Sequence, residues 1–425
     1  MSKRTAFIVT GDSFITRRLP TNKYEGFTEL QNLINEHDVK FTNLEMTIHR
    51  QEGFPAAVSG GTWAMAEPEI LDDLKQFGFN LYNTANNHSG DYSHGGLLAT
   101  IDYLRERNML FAGTGSNLYE ATAATYLDTR YSRVALIGAC SSFHESHAAG
   151  NQGYAMQGRP GLNPLRFQKT VHVEKSYFDT LTEIADETQM NAEIMLSIKN
   201  GYIQPLPNDS LYFGEMIFKC DGNNAVRTSP LQKDMDRMIA AIKEAKLQAD
   251  YVLVSIHSHE FAGEDIVEPA EFLKIFCHAC IDVGADVILG HGPHELRGIE
   301  IYKGKPIFYS LGNFIFQTET ISVQPVEAYE NAGLAPDTMV GSYMNIRSGD
   351  GSTGLIVQPN IWRSVMPSFV AEDGRISTIK LYPISLNMNA PRSRIGFPKL
   401  SYDVEVLKYL RSEERRVGKE CRSRW

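Results

Sequence analysis

An α/β fold follows from two observations on the sequence. Strand-like apolar runs alternate with helix-like runs through most of the 425 residues, the order that builds a parallel or mixed sheet covered by helices. Five of the apolar runs, at 6–9, 39–42, 79–85, 251–256 and 285–289, each lead into a short polar motif. The motifs are Gly11-Asp12, Asn43-Leu44-Glu45, Asn86-Asn87-His88, His257-Ser258-His259-Glu260 and Gly290-His291-Gly292-Pro293-His294. In an open α/β sheet, ligands sit beyond the carboxyl ends of the strands. Asp, Glu, Asn and His gathered there form a mixed oxygen and imidazole donor set, which suits a divalent metal.

The elements follow in order. After the first strand, 25–36 reads as a helix, with Phe27, Leu30, Leu33 and Ile34 on one face. Pro68 suits the first turn of another, continued by Ile70, Leu71, Leu74 and Phe77. Residues 95–107 form a third helix with Leu97, Leu98, Ile101 and Leu104 inward, followed by strands at 109–112 and 134–137. Residues 233–245 are helical, and a helix at 269–283 separates the last two motif strands. Strands at 298–302 and 306–309 flank Lys303-Gly304-Lys305, a hairpin turn.

Two stretches break this rhythm. Residues 145–223, which include the Gly/Pro-rich run at 158–164, read as an insertion over the open edge of the sheet, a lid or substrate lobe. Residues 318–410 read as a C-terminal extension, with runs at 351–357 and 376–382 and a loop at 391–398. The last fifteen residues, RSEERRVGKECRSRW, match a translated sequencing adapter along their whole length. They are expected to be non-native and are set aside from fold reasoning. On that reading the extension is truncated near Leu410.

The net charge of −10 argues against a nucleic-acid partner, which needs a basic footprint. No apolar stretch has the length of a signal peptide or membrane span, so a cytoplasmic protein without membrane insertion is expected. Cys277-His278-Ala279-Cys280 has the spacing of redox and zinc sites. It lies inside the 269–283 helical pattern, however, and no second such pair exists to complete a zinc site. Buried helix cysteines in a reducing compartment are the better reading.

Taken singly, the motif residues have ordinary uses. Asp12 can cap a turn, Asn86 and Asn87 can form one, and His88 can be a hydrogen-bonded structural histidine. Together at five strand ends they favour a site. Asn86, Asp91, Glu260, Glu295 and Arg297 are candidates for substrate-contacting or supporting groups, and Asn313 for a pocket-lining residue. His94 and His278 read as structural, and His49, His144 and His147 receive no role.

The motifs also carry a family resemblance. The stretches are GDSF at 11–14, TNLE at 42–45, TANNHSGDYSHGG at 84–96, GTGSNLYEA at 113–121 and VSIHSHEF at 254–261. The set closes with ADVILGHGPHELRGIEIYKGKPIFYSLGNFIF at 285–316. On these the chain resembles the capsule-synthesis CapA family, associated with poly-γ-glutamate production and similar in fold to calcineurin-like metallophosphatases. The resemblance implies a four-layer α/β/β/α sandwich over residues 1–317 and one or two divalent ions (Mn, Fe or Zn). It implies Asp12, Glu45, Asn87, His257, His291 and His294 as metal ligands and His88 as acid on the leaving group. Two metals about 3.5–4 Å apart can share a hydroxide and clamp a phosphoryl oxygen, and the same apparatus can attack an amide carbonyl.

The chain departs from the metallophosphatase pattern twice. Phe14 stands where a histidine is usual, and Glu45 where a bridging Asp is usual. Alternation along an extended segment would place His257 and His259 on one face, so His259 is the candidate replacement imidazole. The expected function is hydrolysis of a phosphoester or γ-glutamyl-type amide, on a small molecule or an acidic polymer. The alternative is a non-catalytic, metal-dependent binding or accessory protein for an acidic polymer or its synthase.

Overall fold

Alternation along the first strand separates two apolar layers. In the computed structural model, which describes residues 4–417, with side chains as far as Arg411, Arg4–Phe14 is a strand buried along most of its length. Ile8 joins one apolar cluster, whereas Phe7 and Val9 join another. The strand pairs in parallel with Val39–Leu44, which pairs with Leu81–Asn83 and that in turn with Phe111–Ala112. On its other side Arg363–Glu372 runs antiparallel, from Arg4 opposite Glu372 to Ile8 opposite Ser368. Lys380–Ser385 and Lys399–Leu400 follow outward, Arg375–Ile376 pairs with Arg363–Glu372, and Asn313–Phe316 pairs with the end of the first strand. The result is a nine-stranded sheet. The chain after 317 is therefore built into this sheet rather than appended to it.

A six-stranded sheet runs in the order Ile299–Tyr302, Lys305–Phe308, Val287–His291, Tyr251–His257, Arg133–Cys140 and Thr125–Asp128. Its four central strands are parallel. Here too alternate residues part company: Val252, Val254 and Ile256 enter one cluster, and Tyr251 and Leu253 another. The cluster holding Phe7, Val9, Phe41 and Leu81 also holds Leu136, Leu253, Val287 and Leu289, so both large sheets contribute to one core. The other face of the nine-stranded sheet packs on Phe27–Asn35 and Glu69–Gln76 through Phe27, Leu30, Ile34, Ile70, Leu71 and Leu74. The other face of the six-stranded sheet packs on Gln232–Gln248 and Glu271–Asp282. These helices, with Ser93–Glu106, lie where the apolar spacing places them. Burying such faces at about 25 cal/mol per Å² supplies the main drive for folding.

Within Glu271–Asp282, Cys277 and Cys280 are buried core residues, and the four cysteines of the described residues are free. The hairpin turn has Lys303 at φ 51° and Gly304 at φ 77°, the pair of positive values that a two-residue type I′ turn requires.

The 145–223 stretch divides. Residues 145–166 lie along the body, with Gly161–Leu162 paired to Thr114–Gly115 and Pro164 bridged to Cys140. From Phe167 to Pro230 a separate four-stranded sheet forms, in the order Ser210–Phe213, Met216–Cys220, Phe167–Val173 and Ala225–Pro230. At the C-terminal end, Glu405–Val417 is a helix whose Val406 and Leu410 enter the core between the large sheets. Of the adapter-like stretch, residues 418–425 lie outside the described residues. Among the described residues no helix is long and apolar enough to cross a membrane.

Candidate metal centre

Strand register brings the motifs together. In the nine-stranded sheet Asp12 stands beside Asn43, and Asn43 beside Asn83. In the six-stranded sheet His257 stands between Cys140 and His291. Parallel pairing puts all these carboxyl ends on one side of each sheet. In the first strand the pairing steps from Val9–Phe41 to Asp12–Asn43, a bulge of the kind that re-aims a side chain. Gly11 sits in that step, and a Cβ there would lie 1.8 Å from the Gly312 carbonyl oxygen. Only glycine allows that approach.

The buried Asp12 carboxylate is held at both oxygens. Asn43 Nδ2 donates to Oδ1 at 2.7 Å, and the Gly292 amide donates to Oδ2 at 3.0 Å. Asn83 Nδ2 in turn donates to Asn43 Oδ1 at 2.7 Å, so a chain of two amides orients the carboxylate. The imidazoles converge on it: His291 Nδ1 lies 3.4 Å and His257 Nδ1 3.7 Å from Oδ1, and His294 Nδ1 3.9 Å from Oδ2. Glu45 Oε1 lies 3.7 Å from His257 Nε2 and 3.8 Å from His294 Nε2. His259 Nε2 is 3.1 Å from His257 Nε2. Three overlapping sets thus have their ligand atoms within 4.8 Å of one another: Asp12–His257–His291, Glu45–His257–His259 and Asp12–Glu45–His294.

Ring orientations are set from behind. Ser255 Oγ is 2.7 Å from His291 Nε2, leaving Nδ1 toward Asp12. Asn313 Nδ2 donates to the Ile361 and His294 carbonyls, so its Oδ1 faces His294 Nδ1, which donates to it at 2.8 Å. That fixes the tautomer with the His294 Nε2 lone pair toward Glu45. His294 itself sits at φ 62° after Gly292 and Pro293, a left-handed conformation that is strained for a non-glycine residue and recurs at functional sites.

Burial dominates the electrostatics of the cluster. Burial pushes Asp12 up to about 7, against the pull of its Asn43 and Gly292 hydrogen bonds. Burial, then the nearby Asp12 and Asp91 charges, hold Glu45 well above the usual carboxylate range. Burial lowers His291 to about 3 and His294 to about 4. Burial and the neighbouring imidazoles hold His257 and His259 well below the ordinary histidine value. Neutral imidazoles with free lone pairs are the form that ligates metal. Both Glu45 oxygens are buried without a hydrogen-bond partner, as is Asn87 Oδ1, whose Nδ2 is spent on the Gly60 carbonyl at 2.7 Å. Such orphaned oxygens are costly, and a bound divalent ion would satisfy them. The residues fit the metal that the donor set implies.

A family model described as bacterial capsule synthesis protein PGA_cap matches residues 6–318. The chain belongs to the PGA_cap family. Over 417 residues, spanning 96% of this chain and 88% of the other, it is 30% identical to the protein y4sH of Sinorhizobium fredii. It is 26% identical over 252 residues to the capsule biosynthesis protein CapA of Bacillus anthracis, covering 59% of this chain and 43% of that one. Over 86 residues, 20% of this chain and 22% of the other, it is 44% identical to the PGA biosynthesis protein CapA of Bacillus subtilis.

The remaining residues of this PGA_cap site take distinct places. His88 Nδ1 is 2.7 Å from Asp91 Oδ2, and its ring meets Phe14 edge-on at 5.3 Å. Asp91 also accepts from the Gly60 and Ala64 amides, tying the His88 turn to the 56–64 loop. Asn86 ties its turn to the neighbouring motif strand, donating to the Leu44 carbonyl at 2.7 Å and accepting from the His88 amide at 3.1 Å. Glu260 accepts from Ser141, Ser142 and Ser258 hydroxyls. Glu295 accepts from Asn360 Nδ2 at 3.3 Å. His278 is outside the site, hydrogen-bonded to Glu300 and stacked on Tyr302. Of the supports, Asn43 opens the Asn43-Leu44-Glu45 motif but carries no role in the sequence reading, and Asn83 and Ser255 have no signal beyond their place in the motif strands.

Arg297 is fully buried and donates to the carbonyls of Ile266, Ser258 and His259. It clamps the segment that carries His259, and burial lowers its guanidinium to about 10. Arg297→Met should cost about 3–5 kcal/mol, because three carbonyls lose a charged donor. The denaturant midpoint measures it, and an unchanged midpoint would show that the clamp contributes nothing.

Proposed function

We propose that this chain is a metal-dependent hydrolase acting on a phosphoester or a γ-glutamyl-type amide in the making of poly-γ-glutamate or a related capsule polymer. The observation that carries the reading is the pair of orphaned Glu45 oxygens beside a cluster of neutral, buried imidazoles, with the orphaned Asn87 Oδ1 as a further candidate ligand. Two sheets sharing a core, each with helices on its outer face, support a metallophosphatase-like four-layer α/β/β/α sandwich. The names of the two CapA relatives support the polymer setting.

Asp12, Glu45, Asn87, His257, His291 and His294 would hold one or two divalent ions. His259 would supply the imidazole whose usual position Phe14 occupies. When bound, such ions polarise a phosphoryl or carbonyl oxygen and make water a nucleophile near neutral pH. The chain's own residues do the rest. Asn43 and the Gly292 amide keep Asp12 facing the imidazoles, and Asp91 fixes the His88 tautomer at Nδ1. As an imidazolium, with Nδ1–H held by Asp91, His88 would present Nε2–H to a leaving alcohol or amine and give it that proton, ending as the neutral Nδ1–H tautomer. Phe14 packs against the His88 ring and shields that side from water.

The test is metal content by mass spectrometry beside turnover of p-nitrophenyl phosphate and γ-glutamyl p-nitroanilide. One or two equivalents of Mn, Fe or Zn, with turnover of either substrate, is the expected result. Metal without turnover would hand the site to a metal-dependent binding protein. No metal after reconstitution would overturn both.

A further inference from the structure

One buried histidine beside the His88 turn has no hydrogen-bond partner for its ring. His147 is 4% exposed, and neither ring nitrogen makes a hydrogen bond. It follows Arg133–Cys140 in a short helical turn, Glu145–His147, and its ring lies directly over Gly90. A Cβ at Gly90 would sit 2.2 Å from the His147 ring, so glycine in the turn between His88 and Asp91 is what lets the imidazole settle there. The ring borders a cleft of about 390 Å³ shared with His144, Ser142, Gly60, Asn87 and His259. Two of those residues, Asn87 and His259, are candidate metal ligands, so the cleft borders the candidate centre.

An imidazole with both nitrogens unpaired and out of water forfeits about 1–3 kcal/mol per group. Structural histidines avoid that loss, as His278 does with Glu300. Part of that loss is recovered when a ligand oxygen accepts from the ring N–H. Several other polar groups of the cleft are already committed. Asn87 Nδ2 donates to Gly60, and Ser142 Oγ bridges the His259 amide and Glu260. His144 Nδ1 is bonded to Ser146 Oγ. His147 stands out on this wall as the buried side chain with both ring nitrogens unpaired.

We propose that this cleft is the substrate-binding site and that His147 recognises an oxyanion of the substrate next to the bond being cleaved. The inference rests on the hydrolase reading. The chemistry it names, an oxyanion accepting from imidazole, is shared by a phosphate ester and by the carboxylate of a γ-linked glutamyl chain. The experiment separates the two sources.

Calorimetric titration of the metal-loaded protein with inorganic phosphate, and separately with γ-glutamylglutamate, reads binding without turnover. His147→Ala should keep its full metal content and weaken the bound probe at least tenfold. His147→Gln, which keeps a donor, should recover part of that. Gly90→Ala should mimic His147→Ala by displacing the ring. A loss confined to phosphate assigns a phosphoester, and a loss confined to the dipeptide assigns a glutamyl substrate. Equal affinity in His147→Ala and parent, or no binding of either probe by the parent, would overturn the proposal. The hydrolase reading stands or falls separately, on metal content and turnover of the parent.

Discussion

Glu45→Gln protein should emerge depleted of metal and yet, with all metal chelated away, be more stable than the parent treated the same way. The parent buries a carboxylate whose two oxygens have no hydrogen-bond partner, close enough to Asp12 and Asp91 for their charges to oppose its ionisation. An uncompensated buried charge is strongly destabilising, and its neutral isostere removes the conflict. The amide also gives His257 Nε2 and His294 Nε2 a donor in place of the Glu45 Oε1 atom that lies 3.7 Å and 3.8 Å away. A gain of about 1–3 kcal/mol is expected in metal-free protein, read as a higher urea midpoint with an unchanged slope. Restoring metal should reverse the ranking, because only the parent gains stability by mass action. A residue kept for packing behaves otherwise: Glu45→Gln would then be neutral or destabilising with and without metal. The reversal of sign is the signature of a carboxylate retained for a cation.

Much of this centre could be read in the sequence because parallel strands align their carboxyl ends. Asp12, Glu45, His257, His291 and His294 each follow an apolar run, and parallel pairing in the observed register carries them to one place. The hairpin at Lys303-Gly304 and the helices at 25–36, 68–77 and 269–283 were readable because their signals are local. What escaped depends on pairing between distant segments. Arg363–Glu372 joins the first strand across more than 350 residues, and Pro367 within it argues against a sheet interior. The structure resolves this by ending the ladder with the first strand at Ser368. Asn43 and Asn83 support Asp12 only once their strands lie side by side. His147 gave no signal, because a histidine in a loop acquires meaning only from the Gly90 turn beneath it.

His88→Ala should keep its metal and lose turnover by about 10²–10⁴-fold, the range for removing a positioned general acid. None of the candidate ligand sets includes His88, and its one polar side-chain partner is Asp91. The size of the loss should depend on the leaving group. p-Nitrophenolate departs without a proton, so its ester should be slowed least. An alkyl phosphate or an alkyl amide must be protonated as it leaves, so those substrates should lose the full factor in kcat with KM nearly unchanged. Asp91→Asn should behave differently, since Asp91 also accepts from the Gly60 and Ala64 amides. Its loss should raise KM by loosening the cleft wall, and should lower kcat by freeing the His88 tautomer. Equal slowing of activated and unactivated substrates by His88→Ala would mean that the ring only packs against Phe14. Loss of metal in the same variant would make it a ligand. A slope that steepens with leaving-group pKa, with metal retained, identifies the proton donor.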